Sequence, residues 1–252
     1  MSQIYRCELR LLEQTFFSTR EISDLYQTEA FIGHIALCYA LGLVPSRYYN
    51  DGKSIYYRED LTTLNERGIY ITPATMQGET RFTLGQFNAQ TDSYWSAMGN
   101  NALVAAPQGM WAEKEGNSWY IMDGTSRRKY GVENRPQFGR IRALAAGNHA
   151  EFFVISESAI NFPSYIRLGK WMSKARLISH AVSIKGEQAE GSFPFLLAAA
   201  DFPATAHLMA YDLLSVTPTP LMRNCHMLGT CYILDQKVLL PKGMRFNLEG
   251  FS

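Results

Sequence analysis

Between Ser164 and Lys185 the chain carries five basic residues, Arg167, Lys170, Lys174, Arg176 and Lys185, and no acidic one, with Tyr165 and Trp171 interleaved among them. Cations at such short intervals can neutralise successive phosphates, and an aromatic ring between them offers a base a face to stack on. The combination fits single-stranded nucleic acid better than duplex, whose bases are already stacked. Gly169 is a point where another backbone can come close. The competing reading is a solvated basic surface with Trp171 packed in a core beside Met172, and composition does not separate the two.

A second basic run precedes this stretch: Arg127-Arg128-Lys129, then Arg135, Arg140 and Arg142. The net charge of the whole chain is only +1, but its distribution is uneven. Residues 124–185 hold 11 Lys and Arg against 3 Asp and Glu, whereas the remainder holds 13 against 20. Such asymmetry permits one basic groove on an otherwise acidic body, and a local groove is what steers a polyanion. The candidate contacts are therefore Arg167, Lys170 and Lys174 on phosphates, Arg176 and Arg140 in the same basic lining, Trp171 as a stacking ring and Gly169 for close approach.

Other chemistries find little support. Gly169-Lys170 lacks the earlier glycine and the following Ser or Thr of a phosphate-binding loop, since Ser164 and Trp171 stand there. There is no Gly-x-Ser-x-Gly elbow, His-Glu-x-x-His helix or Asp-rich metal loop. A metal-free ribonuclease would need a proton-transfer group near a ribose hydroxyl, and His34, His180, Tyr26 and Lys170 are the available side chains. His34 reads more simply as a packed, hydrogen-bonded core residue. Cys225, Cys231, His207 and His226 lack the paired spacing of a metal site and read as buried thiols and satisfied histidines. No cofactor is implied.

The elements that must position the basic stretch follow from periodicity. Ile4 to Leu12 alternates, with Ile4, Arg6, Glu8 and Arg10 on one side and Tyr5, Cys7, Leu9 and Leu11 on the other, which predicts a first strand with one wet face. Phe31, Ile35, Cys38 and Leu41 predict a helix over Glu29–Leu41, capped by Thr28 and closed by Gly42. Asp60 to Arg67 predicts a short helix before Gly68, and Gly68 to Pro73 a strand. Pro45 to Tyr57 is a loop in which Tyr48, Tyr49, Tyr56 and Tyr57 lie beside Arg47, Lys53 and Arg58, suited equally to stacking bases or to a protein interface. Residues 78–125 break the pattern and are expected to form an insertion or projecting hairpin. Glu151 to Ser156 and Ala175 to Ile184 predict strands, with the Arg167 stretch on a loop between them. Gly191 to Ala200 predicts a short strand or helix, and His207 to Val216 and Gly229 to Leu234 with Val238 to Leu240 predict strands, so the second half is mostly β.

Bulk properties set outer limits. At 252 residues, with 46% apolar and 19% charged residues, the chain can bury a core of one large domain or two small ones. No apolar run approaches the roughly 18 residues of a membrane helix, no basic-then-apolar leader opens the sequence, and four scattered cysteines suit a reducing cytoplasm.

Arg167-Leu168-Gly169-Lys170-Trp171-Met172-Ser173-Lys174 resembles the signature of the RAMP subunit that holds the guide 5′ handle in type I-D CRISPR effector complexes. Tyr5-Arg6-Cys7-Glu8-Leu9, Ala36-Leu37-Cys38-Tyr39-Ala40-Leu41-Gly42 and Leu240-Pro241-Lys242-Gly243-Met244-Arg245-Phe246 resemble the same family in the same order, over nearly the whole chain. The resemblance implies an α+β protein, a single RAMP-type domain over residues 1–252 with a ferredoxin-like (RRM-like) core. It further implies a non-catalytic, cytoplasmic subunit that binds the guide RNA 5′ handle. Its implied neighbours are the backbone RAMP subunit, the large subunit and target double-stranded DNA near the flanking motif. Cutting of CRISPR repeat RNA, the alternative found among RAMP relatives, falls in that system to a separate subunit.

Overall fold

The computed structural model describes residues 2–22, 25–44, 56–89, 109–115, 118–124, 126–130 and 137–249. The chain is α+β and mostly sheet, with two α-helices among the described residues. In order these elements are β1 (Gln3–Leu11), β2 (Arg20–Ile22), β3 (Leu25–Gln27), β4 (Phe31–Ile32), α1 (His34–Ala40), α2 (Tyr57–Glu66), β5 (Ile69–Ile71), β6 (Ala74–Gln77) and β7 (Phe82–Ala89). Then come β8 (Trp111–Glu115), β9 (Ser118–Asp123), β10 (Ser126–Tyr130), β11 (Gln137–Leu144), β12 (His149–Ser156), β13 (Tyr165–Leu168) and β14 (Ser173–Val182). The C-terminal part adds β15 (Ile184–Phe193), β16 (Leu197–Ala198), β17 (His207–Leu214), β18 (Leu221–Leu234) and β19 (Leu239–Pro241).

The main sheet runs β13-β14-β1-β12-β6-β4, with β5 also on β12. β1 lies between two antiparallel neighbours, so its alternation decides which residues line each face. Cys7, Leu9 and Leu11 point into the core with Phe152, Val154, Ala175 and Leu177, under α1 and α2. On the other face Ile4 and Phe153 are covered by Tyr232, Leu234 and Leu240 of the C-terminal strands. That cover reaches only the Ile4 end, and Glu8, Arg10, Arg176 and His149 stay exposed.

The first predicted helix is shorter than its periodicity suggests. It starts at His34, because Phe31 and Ile32 pair instead with Thr75 and Ala74 as an edge strand, with Ile32 fully buried. An aromatic and a β-branched residue suit that pleated, half-covered position. Thr28 does not cap the helix: its hydroxyl accepts from the Phe17 N–H at 2.9 Å and donates to the Phe17 carbonyl at 2.8 Å. The other end closes as expected at Gly42, whose φ of +67° lets the Leu43 and Gly42 N–H groups return to the carbonyls of Cys38 and Tyr39. α2, β5 and the strand at His207 also stand close to their predicted places, whereas the strand predicted from Gly229 already begins at Leu221.

A second sheet, β2-β3-β11-β7, is linked by the Thr15–Leu144 bridge to the segment that follows β1 and packs Tyr26, Ile141 and Ala143 around Phe16. Strands β8 to β10 form an antiparallel meander that, among the described residues, pairs only with itself. It belongs to the stretch between β7 and β11, where the insertion over 78–125 was expected. Most of the tyrosine-rich loop (45–55), together with Arg135, lies outside the described residues. The last sheet is built on the 14-residue β18, flanked by β15 and β16 on one side and β17 and β19 on the other. Among the described residues no helix is long and apolar enough to cross a membrane.

A buried polar knot ties these layers together. Asp201 accepts from the Tyr70 hydroxyl at 3.0 Å and from the Asn247 N–H at 2.9 Å, and lies 3.2 Å from His34 Nε2, whose ring stacks on Phe246. Removing the carboxylate orphans several buried groups at once, each costing about 1–3 kcal/mol. Asp201→Ala is expected to lower unfolding free energy in urea by about 3 kcal/mol or more. All four cysteines are free and buried, and burial pushes the Cys7 thiol up to about 12 and Cys231 to about 11. At pH 8 the folded protein should react with a maleimide only as fast as it unfolds, and a fast-labelling thiol would contradict this packing.

Candidate nucleic-acid interface

The basic stretch is a β-hairpin rather than the expected loop. Tyr165 stands opposite Arg176, Ile166 opposite Ala175, Arg167 opposite Lys174 and Leu168 opposite Ser173, with residues 169–172 turning between them. Strand pairing wins because Ile166, Leu168, Ala175 and Leu177 alternate into the main core. The same alternation leaves Tyr165, Arg167, Lys174 and Arg176 on the outer face of the edge hairpin.

The turn is moulded on the chain's own backbone. Gly169 has φ +70°, and a Cβ there would lie 2.4 Å from the Phe16 carbonyl oxygen. The Lys170 N–H donates to that same oxygen at 2.8 Å. The close approach expected at Gly169 is thus to Phe16. Trp171 sets its ring 5.1 Å from the ring of Phe16 and remains 39% exposed, so it is packed on one side and still reachable from solvent. Stacking and packing are not alternatives at this position.

The cations differ in how far they are already committed. Arg167 donates to the Met172 carbonyl at 3.1 Å and lies 3.8 Å from Glu13. Lys174 holds its ammonium 4.4 Å from the centre of the Tyr165 ring, a cation–π contact, while its backbone N–H donates to Glu13 at 2.7 Å. Partial desolvation holds the Lys170 ammonium below the usual lysine pKa, against the opposing pull of Glu21. Arg176 is exposed and makes no ion pair or hydrogen bond among the described residues.

The wider basic groove does not assemble as the charge count suggests. Arg140 flanks Ile141, which points to Phe16 and the hairpin side, so alternation along β11 turns Arg140 to the opposite face. Arg127 is bound to Glu115 and lies over Tyr120, Arg142 sits 3.7 Å from Glu29 and over Phe82, and Lys185 pairs with Asp235 at 3.1 Å. These cations are engaged locally. Sequence reasoning also missed a neighbour: Arg10 on β1 is the partner of Arg176, and His149 on β12 is the partner of Arg10. Alternation placed Arg10 on the wet face, but only the register shows what it meets.

Of the side chains available for proton transfer, His34 and Tyr26 are 3% and 2% exposed and cannot reach a bound polymer. His180 is exposed and lines a cavity of about 270 Å³ with Arg6, Glu8, Phe153 and Asp235. Among the described residues no group of three His, Cys, Asp or Glu could hold a metal ion.

Residues 2–249 match the family described as type I-D CRISPR-associated protein Cas5/Csc1. The chain belongs to that family. No curated protein matches it. The Cas5/Csc1 match spans the hairpin and the sheets that hold it, and the segments of resemblance outside the hairpin are largely framework. Tyr5–Leu9 lies in β1, Ala36–Gly42 forms α1 and its cap, and Leu240–Phe246 buries Leu240, Met244 and Phe246. In this Cas5/Csc1 chain the hairpin segment leaves Arg167, Lys170 and Trp171 exposed, whereas the other segments expose Glu8 and Arg245 beside their buried residues.

Gly169→Ala should destabilise the protein, since it combines a left-handed backbone with a clash against Phe16. The expected loss is at least about 1 kcal/mol in chemical denaturation. A variant as stable as the parent would show that the turn is not held by Phe16.

Proposed function

We propose that this Cas5/Csc1 protein is a non-catalytic subunit of a type I-D RNA-guided surveillance complex and grips the 5′ handle of the guide RNA through the β13–β14 hairpin. The observation that carries this reading is the outer face of the hairpin, where Arg167, Lys174 and Arg176 surround Tyr165 with no carboxylate on either strand. Trp171 at the turn adds a ring braced from behind by Phe16. Cations bind the backbone and rings accept bases without reading their identity. In the assembled complex the protein contacts the backbone RAMP subunit and the large subunit and helps position target double-stranded DNA at its flanking motif. Target sequence is read by guide pairing and not by this chain.

The strand order of the main sheet supports the ferredoxin-like core that goes with this role. Counting β1 first, β5 and β6 second, β12 third and β14 fourth, the sheet runs fourth-first-third-second, antiparallel throughout. Where that fold has a second crossover helix, residues 157–164 carry none and the chain goes directly into the hairpin.

Binding of a single-stranded handle RNA by the purified chain, followed across a salt series, tests the assignment. Arg167→Ala and Lys174→Ala should each flatten the dependence of log K on log salt by about 0.7 if each side chain holds one phosphate. Trp171→Ala should remain folded by near-ultraviolet circular dichroism and lose about 1–3 kcal/mol of binding. Unchanged slopes in both lysine and arginine variants would remove the hairpin as the RNA contact, and cleavage fragments on a denaturing gel would overturn the non-catalytic role.

A further inference from the structure

The register of the main sheet brings two arginines face to face. Arg10 and Arg176 are cross-strand partners on β1 and β14, both exposed on the outer face, with Tyr165 beyond Arg176 and His149 beyond Arg10. Neither arginine has an ion pair, hydrogen bond or ring contact among the described residues. Directly opposed like charges destabilise a strand pair. The same face shows the usual remedy two pairs further along, where Arg6 donates to Glu151 at 2.7 Å. At Arg10 the remedy is missing.

We propose that Arg10 and Arg176 form a clamp for one phosphodiester of a single-stranded nucleic acid, continuing the hairpin contact onto the open face of the main sheet. This rests on the RNA-binding reading of the hairpin and adds a residue, Arg10, and a path. Two guanidinium groups on adjacent strands present paired donors that a tetrahedral phosphate can accept together. The aromatic neighbour is Tyr165, 51% exposed, with Lys174 leaning on its ring. The clamp is bounded in the other direction, because the next row of the face is Ile178, Glu8 and Glu151. Glu151 there is already paired with Arg6, and Glu8 is left as the carboxylate that repels a polyanion, so the bound nucleic acid seats one phosphate at the arginine pair and then leaves the sheet.

The experiment measures binding of a single-stranded RNA oligonucleotide to the full chain over a salt series, for the parent, Arg10→Gln, Arg176→Gln, the double variant and Arg223→Gln. Arg223 is an exposed arginine on β18, 3.5 Å from Asp212, and serves as a distant control. Each single variant should bind about tenfold more weakly. The double variant should lose little more than either single one, with its slope reduced by about 0.7, the value for a single phosphate held in common. Arg223→Gln should bind like the parent. Because the substitutions relieve repulsion, Arg10→Gln should melt no lower than the parent without RNA, which separates lost binding from lost folding. If Arg10→Gln matches the parent while Arg167→Ala and Lys174→Ala weaken binding, the clamp is wrong and the hairpin reading stands. If the parent shows no salt-dependent binding, both fall. Additive losses in the double variant would replace the shared clamp by two separate contacts and overturn it.

Discussion

The register of β1 between β12 and β14 is the constraint on which the rest of this protein depends. Side chains on a strand alternate, so a slip of one residue would carry Arg6, Glu8 and Arg10 into the core and turn Cys7, Leu9 and Leu11 out to water. Burying one large aliphatic side chain is worth about 1.5–3 kcal/mol, and stranding a charge in its place costs more. With Cys7, Leu9 and Leu11 all essentially inaccessible, no competing register comes near the observed one in energy. Every exposed feature of the face follows from that choice. Arg6 meets Glu151, Arg10 meets Arg176, and the C-terminal strands find Ile4 and Phe153 as their landing place.

Phe16 carries the same order from the main sheet to the second one. Its ring belongs to the cluster with Tyr26, Ile141 and Ala143, its carbonyl receives the Lys170 N–H, and its ring backs Trp171. The hairpin turn is therefore an extension of the junction between two sheets, and its exposed ring is held by a residue that is itself fully buried. A turn held in this way would lose little conformational entropy on any further contact, because the backbone at Gly169 and Lys170 is already fixed. Ser173 strengthens the arrangement by donating to the Gln14 carbonyl at 2.6 Å, so the segment before Phe16 is tied to the start of β14 as well.

What could be read in the sequence divides along the distinction between local and long-range information. Period-2 alternation showed β1 and its wet face, Gly42 and Gly68 marked the helix ends, and Glu151 to Ser156 announced the central strand β12. The hairpin hid because Arg167 to Lys174 looks like a polar loop when its cations are counted, whereas Ile166, Leu168 and Ala175 are what decide its fold. Phe31 and Ile32 hid for the opposite reason: their apolar spacing fits a helix, and only the approach of β6 turns them into a strand. The charge count misled most where partners are far apart in sequence. Arg142 with Glu29 and Lys185 with Asp235 are neighbours only after folding, so a net of cations over residues 124–185 overstates what the surface offers.

Pairing explains why an uncompensated arginine pair can persist on the outer face. An exposed ion pair contributes at most about 1 kcal/mol, so a carboxylate opposite Arg10 would add little to stability. It would have a larger effect on the local field. As built, the outer face runs from Arg167, Lys174, Arg176 and Arg10 at the hairpin end to Glu8 two residues along β1, beside a Glu151 that Arg6 already neutralises, so the positive field ends within a few residues. Such a gradient orients a polyanion, because one direction along the sheet attracts it and the other repels it. A chain whose charges nearly cancel overall can in this way present a strongly directional surface. The directionality comes from the strand register, since the same residues shifted by one position would bury the charges that create it.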